Sequence, residues 1–576
     1  MDKAEVAAIL DEIGTLLELQ GENSFRCNAY HNGARAIEQL TTNLTDVVNA
    51  GKLSEVPGIG STLQEKITTL VQTGALPFYD DLKKKIPAGV VEMLRIPGVG
   101  PKKVKAMWET LHVDTLEKLK TACETDQVAK LKGFGAKTQQ KILEGLAFVG
   151  QTEDRVRIDQ ALPMALKLME GLKDLPGVEK IELGGSLRRR KETIKDIDIL
   201  IASDDAEPIM DRFVTLPGVV NIVGRGPTKA SVMVAAGAGT GKVTMNADLR
   251  VVSPAQFPYA LHYFTGNKDH NIAMRSRAIA QGLKLNEYEL AGAKKKVVCK
   301  SEEDVFKALG LDWIPPEMRE HTGEVEAAEK HEVPNLVEVK DIQGVFHCHT
   351  TWSDGNASLE EMAAAAQAEG LHYLGIGDHS QSLNIANGLT PERVKKQQKE
   401  IDKLNEGFKN FRLFKGTEVD ILQDGTLDFP DEVLATFDYV VASVHMWTNQ
   451  TQEEMTARII RALSNPYVTM LGHATGRLLL RRDSYKVDLD AVLQAAAKYK
   501  KLIEINAHPQ RLDIDWVHCK RAKELGVKLV INPDAHATTE IGLFRYGVDV
   551  ARRGWLEKKD VFNTQTLTQV RKALGK

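Results

Sequence analysis

Strand-like and helix-like segments alternate through the last two-fifths of the chain, and this rhythm strongly constrains the fold. From about residue 342, helix-like segments such as SLEEMAAAAQAEG separate seven apolar stretches: GVFHCH, YLGIGDH, RLFKGTE, YVVASVH, VTMLGH, LIEINA and KLVINPD. Parallel strands need a crossover helix between them. The alternation therefore predicts a parallel α/β domain over residues 342–576, which we expect to close as a (β/α)7 barrel. Such barrels carry their chemistry at the carboxyl ends of the strands.

Histidines and carboxylates stand at the ends of nearly all of these predicted strands. Nine of the fifteen histidines follow residue 346. The strand-end residues are His347, His349, Asp354, Asp378, His379, Glu418, His445, His473, Asp534 and His536. A ring of imidazoles and carboxylates suits Mn²⁺, Zn²⁺ or Fe²⁺ better than Mg²⁺ alone. A lone histidine is more often a buried or surface residue, but histidines at successive strand ends predict a hydrolytic metal centre.

A second group of acidic residues lies mid-chain, where GGSLRR (residues 184–189) precedes Asp196 and Asp198. IELGG is typical of a strand and SLRRRKE of a helix start, and glycines there let a phosphate approach the helix amides. Asp196 and Asp198 alternate along a strand and share a face, and Asp248 in NADLRVV offers a third carboxylate. Converging carboxylates repel one another. The pattern predicts two Mg²⁺ or Mn²⁺ ions and in-line phosphoryl transfer, whereas Asp-x-Asp alone would favour ordinary solvated carboxylates.

These residues resemble the nucleotidyltransferase core of the family X DNA polymerases, the DNA polymerase beta group. The resemblance covers residues 1–320 and continues in YFTGN (263–267) and LNEY (285–288). It implies that Asp196 and Asp198 hold both metals and that Asp248 holds the catalytic one. The substrate-binding residues that it implies are Gly185, Ser186, Arg189, Tyr263, Phe264, Gly266, Asn271 and Arg275.

Three residues depart from the family pattern, namely Asn246, Lys268 and His270. A basic residue often precedes the third aspartate in the family, where this chain has Asn246. An acidic residue and a phenylalanine are familiar where it has Lys268 and His270. These departures bear on base and sugar selection rather than on the reaction.

The first 150 residues predict short amphipathic helices joined by glycine turns. VPGIGSTLQEKI, IPGVGPKKVKAM and a looser LKGFGAKTQQKI repeat one pattern. The repeats look like helix-hairpin-helix motifs, whose backbone amides bind DNA phosphates without sequence preference. On this interpretation Gly58, Gly60, Gly98 and Gly100 contact DNA; tight turns in a small helical domain are the alternative.

Lys66 occupies the lyase position of the family by the same resemblance. An amine whose pKa is lowered by desolvation can form a Schiff base. Thr62 and Arg26 stand where the family often has phosphate-binding lysines. A solvated helix lysine is therefore the alternative interpretation.

The histidine-rich pattern is similar to the PHP (polymerase and histidinol phosphatase) domain. Its ligand set maps onto His347, His349, Asp354, His379, Glu418, His445, His473, Asp534 and His536, which implies up to three Mn²⁺, Zn²⁺ or Fe²⁺ ions. Activities in the family include 3′→5′ exonuclease, 3′-phosphatase and abasic-site endonuclease, and a structural role is also open. The basic residues Arg477, Arg481 and Arg482 guide a DNA phosphate or form a solvated loop. His508 adds to the site or caps a strand.

The resemblances together predict six regions along the chain. They are a helical DNA-end-binding (8-kDa-like) domain (1–80), a fingers- or thumb-like helix-hairpin-helix domain (81–150), a palm with a mixed sheet (151–252), a nucleotide- and template-binding subdomain (253–313), a linker (314–341) and the PHP domain (342–576). The expected partners are gapped or primer–template DNA and deoxynucleoside triphosphates, with the chain as a monomer. The expected role is short-gap filling in base excision repair, combined with hydrolysis of DNA phosphodiesters.

Composition limits how the chain can contact DNA and where in the cell it is expected. The net charge of −4 excludes a globally basic tail, so any contact with DNA must be local. Five scattered cysteines favour a reducing cytoplasm, and the absence of a long apolar run argues against a membrane span. A small-molecule phosphatase and a non-enzymatic DNA-end scaffold are the competing functions. The helix-hairpin-helix repeats argue against the first, and the three intact aspartates argue against the second.

Overall fold

Amphipathic segments in the first 152 residues form helices, as their apolar spacing predicts. The helices are α1 (Lys3–Gln20), α2 (Ser24–Glu38), α3 (Leu44–Asn49), α4 (Ser61–Thr73), α5 (Pro77–Lys85), α6 (Ala88–Glu92), α7 (Pro101–Leu111), α8 (Leu116–Glu124) and α9 (Ala136–Thr152). One hydrophobic cluster runs from Val6 to Ile142. The regions predicted at 1–80 and 81–150 therefore share a core.

The structure, a computed structural model, describes residues 1–575 except 2, 39, 41–43, 57, 97–98, 153–154, 238–242 and 294–295. The chain divides into two compact units. The first holds residues 1–155, 217–221 and 233–245, and the second holds residues 156–216, 222–232 and 246–576. No helix in the described part of the chain is long and apolar enough to cross a membrane.

The middle of the chain contains a mixed sheet, as predicted for the palm. The elements of this region are β1 (Val156–Arg157), α10 (Ile158–Glu170), β2 (Lys180–Leu183), α11 (Gly185–Arg188), β3 (Thr193–Ile194), β4 (Asp196–Ala202), α12 (Glu207–Val214), β5 (Val219–Arg225), β6 (Lys229–Ala236) and β7 (Val243–Val252). The strand order in the sheet is β2-β4-β7-β6-β5. Strand β4 runs antiparallel to β2 and parallel to β7.

The next region is mostly helical. It contains α13 (Phe257–Thr265), α14 (Lys268–Ala280), β8 (Leu283–Leu285), β9 (Leu290–Gly292), β10 (Lys296–Val297), α15 (Glu302–Ala308) and α16 (Glu324–Glu329). The segment predicted as a linker is packed here, since Met318 and Ala328 share a hydrophobic cluster with α14 and α15. Fully buried Arg319 contacts Glu302 at 2.6 Å. The polar, proline-bounded sequence of this segment did not reveal that its charges are paired inside the protein.

The C-terminal domain alternates strands and helices, as the sequence predicts. Its elements are β11 (Gly344–Cys348), α17 (Leu359–Ala368), β12 (Tyr373–Ile376), α18 (Pro391–Gly407), β13 (Arg412–Phe414), β14 (Gly416–Asp420), α19 (Asp431–Leu434), β15 (Tyr439–Ser443), α20 (Gln452–Ser464), β16 (Met470–Leu471), α21 (Leu489–Tyr499), β17 (Leu502–Asn506), α22 (Trp516–Glu524), β18 (Leu529–Asn532), α23 (Phe544–Arg553) and α24 (Leu567–Ala573). The pairs formed by the described strands of this domain are parallel.

The expected closed (β/α)7 barrel is not found among the described strands. They form one sheet of order β11-β12-β13 and another of order β14-β15-β16-β17-β18. The stretch RLFKGTE, predicted as one strand, is divided into β13 and β14 at Lys415, whose amide donates to Asp438 Oδ2 and whose carbonyl accepts from the Asp438 amide. These bonds accompany the passage of the chain from one sheet to the other.

Isolated bridges nevertheless join the two sheets. His379 pairs with Glu418, and Cys348 pairs with Ala535. The carboxyl ends of the strands therefore converge even though the ladder is interrupted.

Candidate active sites in the palm and the C-terminal domain

Neighbouring strands of the palm sheet bring the three predicted aspartates together. The register of β4 and β7 places Asp198 directly opposite Asp248, and Asp196 opposite Asn246. Ile197, between the first two aspartates, is fully buried on the other face. Asn246 donates to Asp196 Oδ1 at 3.4 Å. The residue that departs from the family pattern is therefore in direct contact with the acidic group.

The electrostatics of this group favour a cation. Burial first, and then the carboxylates of Asp248 and Asp196, raise the pKa of Asp198 to about 6. Lys229 on β6 places its ammonium 2.9 Å from Asp248 Oδ2 and neutralises part of the charge. The repulsion between oxygen ligands fits divalent ions such as Mg²⁺ or Mn²⁺ at this site.

A glycine allows the short helix α11 to begin against the aspartates. Gly185 has φ +57°, and a Cβ at this position would lie 1.9 Å from Asp198 Oδ2. Only glycine fits that close approach in the left-handed region. Ser186 follows in α11 and is half-buried.

The arginines of GGSLRR are held by buried acceptors rather than exposed to solvent. Arg189 donates from Nε to Glu320 Oε1 at 3.1 Å and from Nη1 to the Thr265 carbonyl at 2.6 Å. Arg188 makes a bidentate contact with the Glu302 carboxylate, at 2.8 and 2.9 Å. The sequence did not predict these acceptors because they lie more than 75 residues away along the chain.

The remaining predicted substrate residues lie on α13, on α14 and in the turn between them. The rings of Tyr263 and Phe264 meet edge to face at 5.1 Å, and the Arg250 guanidinium lies 4.7 Å from the centre of the Phe264 ring. Asn271 donates to the Tyr263 carbonyl at 2.8 Å, and Arg275 follows it one helical turn later. The resemblance implies that Tyr263 and Phe264 pack on the incoming sugar and that Asn271 and Arg275 lie in the minor groove near the nascent base pair.

Gly266 and His270 lie in and just after the turn between α13 and α14. Gly266 has φ +66°, and Arg189 Nη1 would lie 3.3 Å from a Cβ there. His270 is completely buried and its Nδ1 lies 2.8 Å from Glu324 Oε1. This histidine therefore fills a packed position, whereas Lys268 at the start of α14 is exposed.

The C-terminal domain gathers all nine of the predicted metal ligands. Their donor atoms form four overlapping groups, each with its atoms within 4.8 Å of one another: His349, Asp354, His379 and His536; His347, His349 and Asp534; His347, Glu418 and His473; and His379, Glu418 and His445. In the described part of the chain, groups of this kind occur only in this domain. The sharing of residues between groups fits several ions held close together.

Glu418, at the middle of β14, is the centre of this arrangement. Its two carboxylate oxygens lie 2.8–3.8 Å from imidazole nitrogens of His347, His349, His379, His445 and His473. Burial alone would raise the pKa of Glu418, but the surrounding histidines hold it well below the usual range. The carboxylate is thus poised to bridge cations.

Unpaired nitrogens provide an independent test of the fit to metal. His347 Nε2, His349 Nδ1 and Nε2, and His473 Nδ1 are buried without a hydrogen-bond partner. A buried polar atom without a partner is costly unless a ligand satisfies it. His347, His473 and Asp534 also have positive φ values of +57°, +23° and +52°, a strained conformation that is common at functional sites.

Three carboxylates that were not assigned as ligands orient the residues around them. Glu504 Oε1 lies 2.6 Å from His347 Nδ1, and Asp420 Oδ1 lies 2.8 Å from His445 Nδ1. Asp378, which the sequence placed at a strand end, accepts from the Thr350 amide at 2.8 Å. Carboxylates that contact an imidazole fix its orientation in metal sites. Glu504 and Asp420 lie inside strands β17 and β14, and no sequence pattern marked either of them.

The basic loop after His473 has structural partners. Arg477 donates to Glu192 at 2.8 Å and to the Arg511 carbonyl at 2.9 Å, and Arg482 donates to the Gly476 carbonyl at 2.6 Å. His508 belongs to none of the four ligand groups. Its Nδ1 accepts from the Gln510 amide at 3.3 Å.

The predicted DNA-binding glycines precede helices in the N-terminal unit. Gly60 and Gly100 are the N-caps of α4 and α7, and Gly58 has φ +89°. Ile59 and Val99 are buried, so each hairpin is fixed to the core, while Gly58, Gly60 and Gly100 lie at the surface. Gly98 lies outside the described residues.

Lys66, on α4, is partly withdrawn from water. Its ammonium lies 4.0 Å from the centre of the Phe78 ring. Burial, assisted by Arg26 and opposed by Glu65, lowers the pKa of Lys66. A lowered pKa is the direction that a Schiff-base amine needs, whereas the contact with the Phe78 ring favours the charged ammonium.

Comparisons with known proteins agree with this arrangement of sites. Family models match the chain as a helix-hairpin-helix domain (residues 1–76), a SAM-like helix-hairpin-helix tandem (90–147), a DNA polymerase beta thumb (260–320) and a PHP domain (346–508). The chain is also 40% identical to the DNA polymerase/3′-5′ exonuclease PolX of Bacillus subtilis (strain 168), over 99% of both chains.

The chain belongs to the family X DNA polymerases of the PolX type. Two further relatives each match part of this chain. DNA polymerase lambda of Rattus norvegicus is 27% identical over 54% of this chain and 55% of its own. A protein named as a probable phosphatase of Thermoanaerobacter sp. (strain X514) is 30% identical over 38% of this chain and 89% of its own.

Proposed function

We propose that the palm of this PolX chain adds deoxynucleotides to a primer 3′-hydroxyl at short DNA gaps during base excision repair. We further propose that the PHP domain removes nucleotides from a DNA 3′ end. One observation supports the first activity above all: the strand register places Asp198 opposite Asp248, and α11 begins beside them at Gly185. The nine-residue cluster around Glu418 supports the second.

In the palm, each residue receives the role that its position favours. Asp196, Asp198 and Asp248 would hold two Mg²⁺ or Mn²⁺ ions, which supply electrostatic stabilisation of the transferred phosphoryl group. Gly185, Ser186 and Arg189 bind the triphosphate at the start of α11. The other substrate residues line the sugar and the nascent base pair, namely Tyr263, Phe264, Gly266, Asn271 and Arg275.

In the PHP domain, the nine residues would hold up to three Mn²⁺, Zn²⁺ or Fe²⁺ ions, which supply a hydroxide near neutral pH. The chain itself positions the imidazoles, for example through Glu504 on His347 and Asp420 on His445. A second candidate activity is hydrolysis of a phosphomonoester such as a 3′-phosphate. The similarity of this domain to probable phosphatases favours it; abasic-site cleavage and a structural role are further alternatives.

Two DNA strands that differ only at the 3′ terminus distinguish these activities. We expect release of mononucleotides from a labelled strand with a 3′-hydroxyl in the presence of Mn²⁺. If the enzyme instead removes only phosphate from a 3′-phosphate and leaves the hydroxyl strand intact, the domain is a phosphatase. The same reactions with EDTA serve as the control for metal dependence.

The N-terminal hairpins supply the DNA contact in this proposal. The exposed amides of Gly58, Gly60 and Gly100, and by sequence analogy Gly98, bind backbone phosphates. Partners are gapped or primer–template DNA and deoxynucleoside triphosphates, and we expect a monomer. The buried free cysteines are consistent with a cytoplasmic location.

Lys66 gives a separate prediction for the N-terminal domain. Borohydride should trap a covalent adduct between the chain and DNA carrying an incised abasic site, and Lys66→Ala should abolish it. Lys83→Ala is a matched control, since the Lys83 ammonium also lies over a ring, that of Tyr79, but is exposed. Equal trapping by Lys66→Ala and the parent chain would leave Lys66 as an ordinary helix lysine.

A further inference from the structure

Glu320 connects the palm to the C-terminal domain through two arginines. Glu320 Oε1 accepts from Arg189 Nε at 3.1 Å and contacts Arg553 Nη2 at 3.4 Å. Its other oxygen accepts from Asn267 Nδ2 at 3.1 Å. The Glu320 carboxylate therefore contacts both Arg189, next to the palm aspartates, and Arg553, at the end of α23.

The contacts around Glu320 are buried, so they are directional and hard to replace by water. Arg553 is 2% exposed, and the side chains of Glu320 and Arg189 are 9% and 10% exposed. Removing one partner from a buried, hydrogen-bonded charge group leaves the others uncompensated. The orientation of Arg189 therefore depends on Glu320, and that of Glu320 depends on Arg553.

Helix α23 makes two more contacts with the palm and the segment before the PHP domain. Arg552 Nε lies 2.7 Å from Glu317, and Asp549 lies 3.8 Å from Arg190. Asp549, Arg552 and Arg553 are spaced as i, i+3 and i+4, which places them on one side of the helix. Arg545, on the same helix, pairs instead with Glu369 of the PHP domain at 2.7 Å.

We propose that Arg553 is a positioning residue of the polymerase reaction. Through Glu320 it fixes the guanidinium of Arg189 for the incoming triphosphate, so that the PHP domain completes the nucleotide site of the palm. This inference rests on the proposed function of Arg189 as a triphosphate ligand. It assigns Arg553 no part in hydrolysis at the PHP centre.

Single-nucleotide incorporation by the full chain on a gapped duplex tests the assignment. Arg553→Met retains the bulk of the side chain and removes its charge, and it should raise KM for the deoxynucleotide by about 2- to 30-fold, the range for substitutions in coupled networks. We expect a smaller change in kcat and unchanged release of nucleotides by the PHP domain. Arg553→Lys should recover part of the loss, and Arg545→Met is the matched control that should leave KM unchanged.

Two further variants separate failure of the inference from failure of the proposed function. If Arg189→Met leaves KM unchanged, Arg189 is not a triphosphate ligand. If Arg189→Met raises KM but Arg553→Met and the isosteric Glu320→Gln do not, the link to the PHP domain is refuted. A loss of both activities in step with a lower Tm would also refute it, because Arg553 would then be structural only.

If Arg553→Met does not fold, Glu320→Gln with Arg553→Lys still tests the link. In a double-mutant cycle these two substitutions should raise KM by less than the product of their separate effects, because both act on Arg189. Multiplicative effects would show that Arg553 does not act through Glu320.

Discussion

Replacement of Asp248 by alanine should lower nucleotide incorporation by about three orders of magnitude or more, since cation clamping contributes several kcal/mol to such reactions. Asp248 faces Asp198 across β4 and β7 and is a member of the predicted ligand set. Release of nucleotides by the PHP domain should stay at the parental rate. Both activities are measured on one labelled primer, with and without deoxynucleotides.

This substitution should not weaken the fold. The Asp248 carboxylate raises the pKa of Asp198, so its removal relieves a repulsion. Asp204→Ala, just past the end of β4 and exposed, is a matched control that should retain incorporation. Incorporation by Asp248→Ala at the rate of this control would remove Asp248 from the catalytic site.

Glu418→Gln should have an effect of similar size on hydrolysis and none on nucleotide incorporation. Glu418 contacts five histidines, and an amide can neither bridge cations as a carboxylate does nor balance the charge of the site. We expect about a thousandfold loss of nucleotide release, in line with metal-assisted catalysis. Elemental analysis of purified protein should show fewer bound ions per chain.

Glu432→Gln, on an exposed turn of α19 in the same domain, is the matched control and should retain hydrolysis and metal. If Glu418→Gln is insoluble, His347→Ala tests the same centre from strand β11 in the other sheet. Full hydrolysis by a folded variant of either residue would contradict the metal-centre assignment.

The residues that the structure gathers around Glu418 could be predicted because their chemistry and their position coincide. His347 and His473 follow apolar strand segments, and parallel strands collect their carboxyl ends at one edge. The alternation of Asp196 and Asp198 was also readable from sequence, and the structure has Ile197 buried between them. Features that depend on neighbouring residues, such as the face of a strand or the residue at its end, could therefore be predicted from the sequence.

Long-range contacts could not be predicted in the same way. No local sequence pattern indicated that Lys415 divides a strand and leaves two sheets in place of a closed barrel. The acceptor of Arg189 is Glu320, 131 residues further along the chain and in a segment whose composition is typical of a linker. Glu504 lies within an apolar strand, where only the fold shows that it faces His347.

Two chemically different centres thus lie in one chain. The palm offers carboxylate oxygens, which suit Mg²⁺ or Mn²⁺, whereas the PHP centre adds imidazoles, which suit Mn²⁺, Zn²⁺ or Fe²⁺. We therefore expect the two activities to respond independently to substitution.

The most direct measurement uses a labelled primer on a one-nucleotide gapped duplex with a 5′-phosphate. The reaction is run in Mg²⁺ or Mn²⁺, with and without deoxynucleotides. Two independent centres predict extension by one nucleotide when deoxynucleotides are present, and shortening of the primer in Mn²⁺ when they are absent. Extension without any shortening would contradict the nuclease assignment of the PHP centre, and shortening without extension would contradict the polymerase assignment of the aspartate group.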